Sequence, residues 1–340
     1  MGTSLRKDSM RRELIFAALD SQPVGRVPAA FWFHFLPEAE TADWRESPRL
    51  LERNFAGHQA FVQKFKPDLV KIMTDGFFFY PTPSLYQPLD LAMVTALDPG
   101  RDWIRAQVAL ARRVRELQED AAYFYNVFSP ITSLRFKLGL DDLKRFYLTQ
   151  PEAFAKALGR MAQGLANLAR AVVTEGRVDG IYLSVQNPDQ KVFSTEFQRA
   201  ALAPGEKAIL KAAEEAGGRN ILHVCGINGV RNDLSLYADY PAAAYNWSVT
   251  AEEVSLAKGR RIFGGKPILG GFEAGPGGLL ATGSKDEVKA KARELIKEAG
   301  AYGYILGADC AIPSGVGLER LEWVREAGLE AIKFSGLGLR

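Results

Sequence analysis

The chain has 340 residues, 47% hydrophobic and 24% charged, which is ample apolar material for a substantial core. Its 43 basic and 40 acidic residues are interspersed and leave a net charge of +3, so no basic stripe points to nucleic acid or to an anionic membrane. No apolar run approaches the ~18–20 residues that span a bilayer, the opening MGTSLRKDSMRREL lacks the apolar stretch of a secretory signal, and two cysteines make no disulfide framework, so a reducing cytoplasm is the expected location.

Residues 1–10 read as a disordered end, and 11–340 as one domain with no internal repeat or linker. Eight short apolar or β-rich segments follow, taken in chain order as strands: Val27–Phe35, Leu69–Asp75, Ala122–Ser129, Gly180–Gln186, Asn220–Gly226, Ala243–Val249, Pro267–Glu273 and Tyr304–Cys310. Several are near-continuous apolar runs, as parallel strands buried on both faces require. Helical periodicity lies between them. Pro48–Lys66 keeps an apolar face through Leu51, Phe55 and Val62, and Pro151–Thr174 does so through Phe154, Leu158, Met161 and Leu165. Ser284–Ala299 opens on a serine cap followed by acidic residues and stops at Gly300. Alternating strand and helix, eight times in this length, predicts a parallel eight-stranded (β/α)8 TIM barrel.

In such a barrel the active site lies at the carboxyl ends of the strands. Each proposed strand ends in polar residues: His34, Asp75, Asn126 with Ser129, Gln186 with Asn187, His223 with Cys225, Asn246, Glu273, and Asp309 with Cys310. The most specific group is His223-Val224-Cys225 with the distant Cys310. Residues i and i+2 of a strand point the same way, so His223 and Cys225 share the barrel mouth. Imidazole and thiolate ligands suit tetrahedral Zn²⁺, and three protein ligands leave one position open, as in catalytic zinc. The other reading of the same residues is a satisfied core histidine with two buried apolar cysteines.

The stretches ILHVCGINGVRNDLSLYADY, YNWSVT, ILGGFEAG and YILGADCAIPSGV resemble the C-terminal half of the uroporphyrinogen decarboxylase superfamily. RVPAAFWFHFLPE, PDLVKIMTDG and YFYNVFSPITSLRFKLG resemble its first three strands more loosely, so the likeness runs from about Arg11 to Gly336. One branch of that superfamily is metal-free and holds a carboxylated tetrapyrrole with arginines after the first strand; this chain has FHFLPE there. The other branch, the corrinoid-dependent methyltransferases, carries His-x-Cys and a distant Cys on zinc.

The resemblance therefore implies zinc on His223, Cys225 and Cys310, and methyl transfer between a corrinoid and a thiol or similar acceptor. The partners it implies are a small thiol or methylated substrate, a corrinoid protein and a second copy of the chain as a homodimer. It places the family's active-site aspartate at Asp75, which would orient substrate or accept a proton; as an alternative Asp75 is a helix N-cap preceding Gly76. His34 is a candidate proton carrier or a packed aromatic neighbour, and Glu273 a candidate fourth ligand or a solvated loop carboxylate. Phe77, Tyr80 and Asn246 are candidates for cofactor contact, although a run such as Phe77–Tyr80 would equally fold onto the barrel rim. His58 falls inside a predicted helix and is expected to be structural. The competing functions are a decarboxylase of porphyrinogens or other carboxylated substrates, and a non-catalytic corrinoid- or tetrapyrrole-binding barrel.

Overall fold

The computed structural model describes residues 11–36, 43–45, 48–82, 90–186, 192–226 and 230–334. The end at 1–10, Asn187 and Glu38 of the first-strand loop lie outside the described residues. Eight parallel strands form one sheet: β1 Ala29–Ala30, β2 Leu69–Ile72, β3 Ala122–Phe128, β4 Gly180–Val185, β5 Ile221–Val224, β6 Ala244–Trp247, β7 Ile268–Phe272 and β8 Tyr304–Ala308. Their order is β1-β8-β7-β6-β5-β4-β3-β2, the sequence of neighbours around a TIM barrel. No helix among the described residues is long and apolar enough to cross a membrane.

The ladder is missing only between β1 and β2, where a side chain takes its place. Asp68 accepts the Ala29 amide at 3.0 Å while Arg26 holds the same carboxylate at 2.6 and 2.5 Å. This corrects the expected first strand, Val27–Phe35. Only two of its residues pair regularly, and beyond them an isolated bridge joins Phe33 to Ile312. Pro28 has no amide to donate, and Asp68 occupies the edge that β2 would otherwise use. The other strands start close to their predicted places and stop one to three residues earlier.

Strand alternation sorts the core into two layers. Leu69, Phe124, Tyr182, Ile221, Ala244, Leu269 and Ile305 fill the barrel interior, whereas Val70, Ile72, Leu183, Leu222 and Tyr245 belong to the larger layer between strands and helices. Ile15, Ala18 and Leu19 of the helix Arg11–Leu19 join the interior cluster beside the first residues of β2, β3, β5 and β6. That helix plugs the amino-terminal end, leaving the opposite end for a cavity.

The outer helices match their periodicity. Pro48–Phe65 ends where Lys66 turns left-handed, Pro151–Thr174 is as expected, and Lys285–Ala299 carries a full capping box between Ser284 and Glu287 before Gly300 at φ +83. The helices Asp102–Arg115, Pro130–Thr149, Ala203–Glu215 and Leu318–Phe334 belong to the same outer layer. Ser129 caps the second of these by accepting the Thr132 amide.

Candidate metal centre and cavity

The ligand atoms of His223, Cys225 and Cys310 all lie within 4.8 Å of one another. His223 is on β5, in register with Ser184 of β4 and Asn246 of β6, at the carboxyl end of the barrel. Cys225 follows on the same face, and its amide extends the ladder to Val185 O at 2.9 Å. Cys310 arrives differently. By alternation from Ile305 it would point away from the interior, but β8 ends at Ala308 and the chain bends at Asp309 and Cys310. Asp309 fixes that bend by accepting from the Gly271 amide and the Ser248 hydroxyl, each at 3.1 Å.

The donor set is suited to a metal and poorly suited to being left alone. Among the described residues, both ring nitrogens of His223 are buried without a hydrogen-bond partner, a costly arrangement unless something coordinates them. The closeness of the two thiols, followed by burial, pushes the Cys225 thiol up, and the neighbouring Cys225 and His223 hold the Cys310 thiol well below its ordinary value. Two thiolates and one imidazole are the borderline-soft ligands that zinc prefers.

Beside the trio stands Glu252, 4% exposed, with its two oxygens held by the backbone amide and side-chain amide of Asn232 at 2.6 Å each. Burial raises its pKa against the pull of Asn232 and of His223. A Cβ on Gly226 would come within 2.8 Å of this carboxylate, so the residue after Cys225 has to be small.

The trio opens into a cavity of about 390 Å³ that His223 and Cys310 line. His34 and Asp75 also line it. Nδ1 of His34 meets Asp75 Oδ1 at 3.0 Å; Asp75 Oδ2 accepts from the Phe35 amide at 3.2 Å and from Asn54 Nδ2 at 2.9 Å. Asp75 sits at φ +47 in the left-handed region, a conformation that a non-glycine residue adopts at some cost. The Asp75 side chain is buried, and that of His34 is 59% exposed. His58 is structural, as expected: its Nδ1 donates to Asn54 O and its Nε2 accepts the Met73 amide, both at 2.9 Å.

Three residues expected to contact a cofactor do not line this cavity. Phe77 is wholly buried, Tyr80 turns its hydroxyl to Thr95 O at 2.8 Å, and it is Phe79 of that aromatic run that lines the cavity. Asn246 points inward but lies below the cavity, accepting from the Tyr182 hydroxyl at 2.6 Å and donating to Leu269 O at 2.8 Å and Ala308 O at 3.3 Å. It ties β4, β6, β7 and β8 together. Glu273 is exposed just past β7, and its carboxylate is outside the group formed by the three ligand atoms.

Two cavity residues escaped the sequence reading. Lys71 of β2 is 5% exposed and lies 4.0 Å from the Tyr182 ring centroid and 5.0 Å from that of Trp32. Burial pushes it down to about 8, against the pull of Cys310, Cys225 and Asp75. A lysine at the interior phase of LVKIM, between Leu69 and Met73, was the available signal. Arg135, from the helix after β3, lines the same cavity and donates to the backbone oxygen of Gln186 at 3.1 Å and to its side-chain oxygen. The first-strand loop, by contrast, contributes no arginine.

The profile of the family described as uroporphyrinogen decarboxylase (URO-D) matches residues 80–330. Among solved structures, the chain is similar to a methyltransferase from Methanosarcina mazei, with a TM-score of 0.75 at 19% identity over 95% of this chain and 99% of that one. It is also similar to a B12-independent methionine synthase from Shewanella sp. W3-18-1, with a TM-score of 0.58 at 15% identity over 93% and 98% of the two chains. At these identities the likeness is one of fold. No curated protein matches the sequence.

Proposed function

The chain belongs to the uroporphyrinogen decarboxylase family, and from that premise we propose that it is a zinc-dependent methyltransferase moving a methyl group between a corrinoid and a thiol acceptor. The observation that carries this reading is the convergence of His223, Cys225 and Cys310 at one end of the cavity, with both imidazole nitrogens unpartnered among the described residues. His223, Cys225 and Cys310 would hold the ion and leave a position open toward the cavity. Bound zinc supplies a Lewis acid that lowers the pKa of an incoming thiol.

The remaining residues have definite tasks. Asp75 accepts a hydrogen bond from Nδ1–H of His34, which fixes the tautomer and leaves Nε2 free to take the thiol proton. Phe35 and Asn54 hold Asp75 in place, so the pair is set before substrate arrives. Trp32, Phe79 and Phe128 form apolar walls that exclude water from the reacting sulfur. A volume of about 390 Å³ is near the small end of the range for small-molecule sites. It suits a small acceptor inside the cavity, with the corrinoid presented from outside by a carrier protein.

The test is metal analysis of protein purified without chelator, followed by thiol-dependent demethylation of methylcobalamin. About one zinc per chain with demethylation supports the reading. Protein that takes up no zinc, or that is inert with a panel of small thiols, defeats it. Ready conversion of uroporphyrinogen would instead favour a decarboxylase.

A further inference from the structure

The cavity holds an amine that methyl transfer leaves idle. Lys71 lies on β2 between Leu69 and Met73, on the face that turns into the barrel, and it lines the cavity while only 5% exposed. Packing does not call for a lysine there, because Leu69 and Met73 on either side are apolar and equally buried. Its nitrogen lies 4.0 Å from the Tyr182 ring centroid and 5.0 Å from that of Trp32. Rings attract a cation, but they replace neither a carboxylate nor water.

Among the described residues, no carboxylate is bonded to Lys71. The acidic groups around the site are committed elsewhere. Asp75 holds His34, Phe35 and Asn54, Glu252 holds Asn232 through both oxygens, and Asp309 holds Gly271 and Ser248. Burial therefore favours the neutral amine and outweighs the opposing pull of Cys310, Cys225 and Asp75. A neutral amine facing an open cavity is the form that adds to a carbonyl carbon.

We propose that Lys71 is a covalent binding residue for a small aldehyde or ketone, which it holds in the cavity as an imine. The lysine nitrogen adds to the carbonyl carbon, and the two amine hydrogens leave with the carbonyl oxygen as water, so that a C=N bond replaces the C=O bond. Trp32, Phe79, Phe128 and Phe136 offer rings to the apolar part of such a ligand. His34, oriented by Asp75, lines the same space and is a proton carrier for the loss of water. The inference stands apart from the methyltransferase reading, since neither zinc nor a corrinoid takes part in it.

The test is reductive trapping. The protein is incubated near neutral pH with benzaldehyde and cyanoborohydride, both with zinc added and after treatment with chelator, and its peptides are mapped by mass spectrometry. Lys71 should acquire a benzyl group at least about tenfold faster than the exposed Lys211 and Lys297, which stay protonated at that pH. Fast labelling of Lys71 with zinc or without it supports the proposal. Lys71→Arg keeps the charge and Lys71→Met keeps the length, but neither forms an imine, so each should lose the fast label. Mapping of the wild-type chain decides the matter even where a variant fails to fold. Labelling of Lys71 no faster than that of the surface lysines in both metal states, or an equally fast label that survives Lys71→Arg, overturns the proposal. Zinc is measured in the same samples. A fast label on protein that takes up no zinc defeats the metal reading and leaves the imine standing; zinc uptake without the label does the reverse.

Discussion

Asp75 accepts a hydrogen bond from Nδ1 of His34 at 3.0 Å across 41 residues of sequence, and it does so from a left-handed backbone conformation. A buried carboxylate orienting a solvent-accessible imidazole is the arrangement of a general base with its positioning partner. If the two act as one unit, His34→Gln and Asp75→Asn should each lower kcat for thiol-dependent demethylation by about 10²-fold, and the double variant should be little worse than either. Steady-state kinetics on the three variants decide it. Multiplying losses in the double variant would mean that the residues work independently.

The metal prediction is independent of turnover. Cys225→Ser, Cys310→Ser and His223→Ala should each lose most of the zinc found in the parent, because three ligands already leave no redundancy. Their circular dichroism should stay that of a folded barrel, since the interior layer beneath the site is built from Leu69, Phe124, Tyr182, Ile221 and Leu269. Full zinc retention in any one variant would remove that residue from the ligand set.

The fold was legible because strand ends and helix periods are local properties. The barrel mouth was legible for a related reason: His223 and Cys225 share a face by alternation, and the polar residues at the strand ends mark one rim. Cys310 was placed by its position at the end of the last strand and by resemblance, although alternation alone would have turned it outward and only the bend after Ala308 turns it back. What stayed hidden depended on depth or on distant contacts. Asn246 has the right phase but sits one layer too low, bonded to Tyr182 and to the β7 and β8 backbone. A run of four aromatics cannot say which member faces the cavity, and Phe79 does so while Phe77 is packed away. Glu252 and Arg135 reach the site from helices whose placement no local pattern encodes.

His58 should make the fold acid-sensitive. Burial, opposed by its bonds to Asn54 and the strand backbone, pushes its pKa down from 6.5 to about 4. The unfolded chain therefore takes up a proton near 6.5 that the folded chain refuses until about 4. The neutral imidazole's contribution is complete above the upper value and is lost progressively below it, by about 3 kcal/mol across the window. Urea unfolding of wild type and His58→Gln at a series of pH values between about 7 and 4 measures the difference; these limits bracket the ordinary histidine range. The stability gap between the two proteins should narrow toward acid, and parallel curves would show that His58 does not titrate with folding.

Glu206 should act in the opposite sense. It is fully buried, Oε1 has no hydrogen-bond partner among the described residues, and Oε2 accepts the Tyr240 hydroxyl at 2.6 Å. Burial raises its pKa from 4.5 to about 7, although Tyr240 and Ser129 pull it down. The folded chain thus keeps a proton that the unfolded chain has already released. Its favourable contribution is full below 4.5 and is lost as pH rises through about 7. Glu206→Gln keeps an oxygen for Tyr240 and cannot ionise. The variant should match wild type in mild acid and exceed it by about 3 kcal/mol above neutrality, the value of a shift of this size. Urea midpoints measured at both ends of the range test this. A variant less stable than wild type at alkaline pH would mean that the charged carboxylate is the form the fold requires, and that water or an ion completes the site beside Oε1.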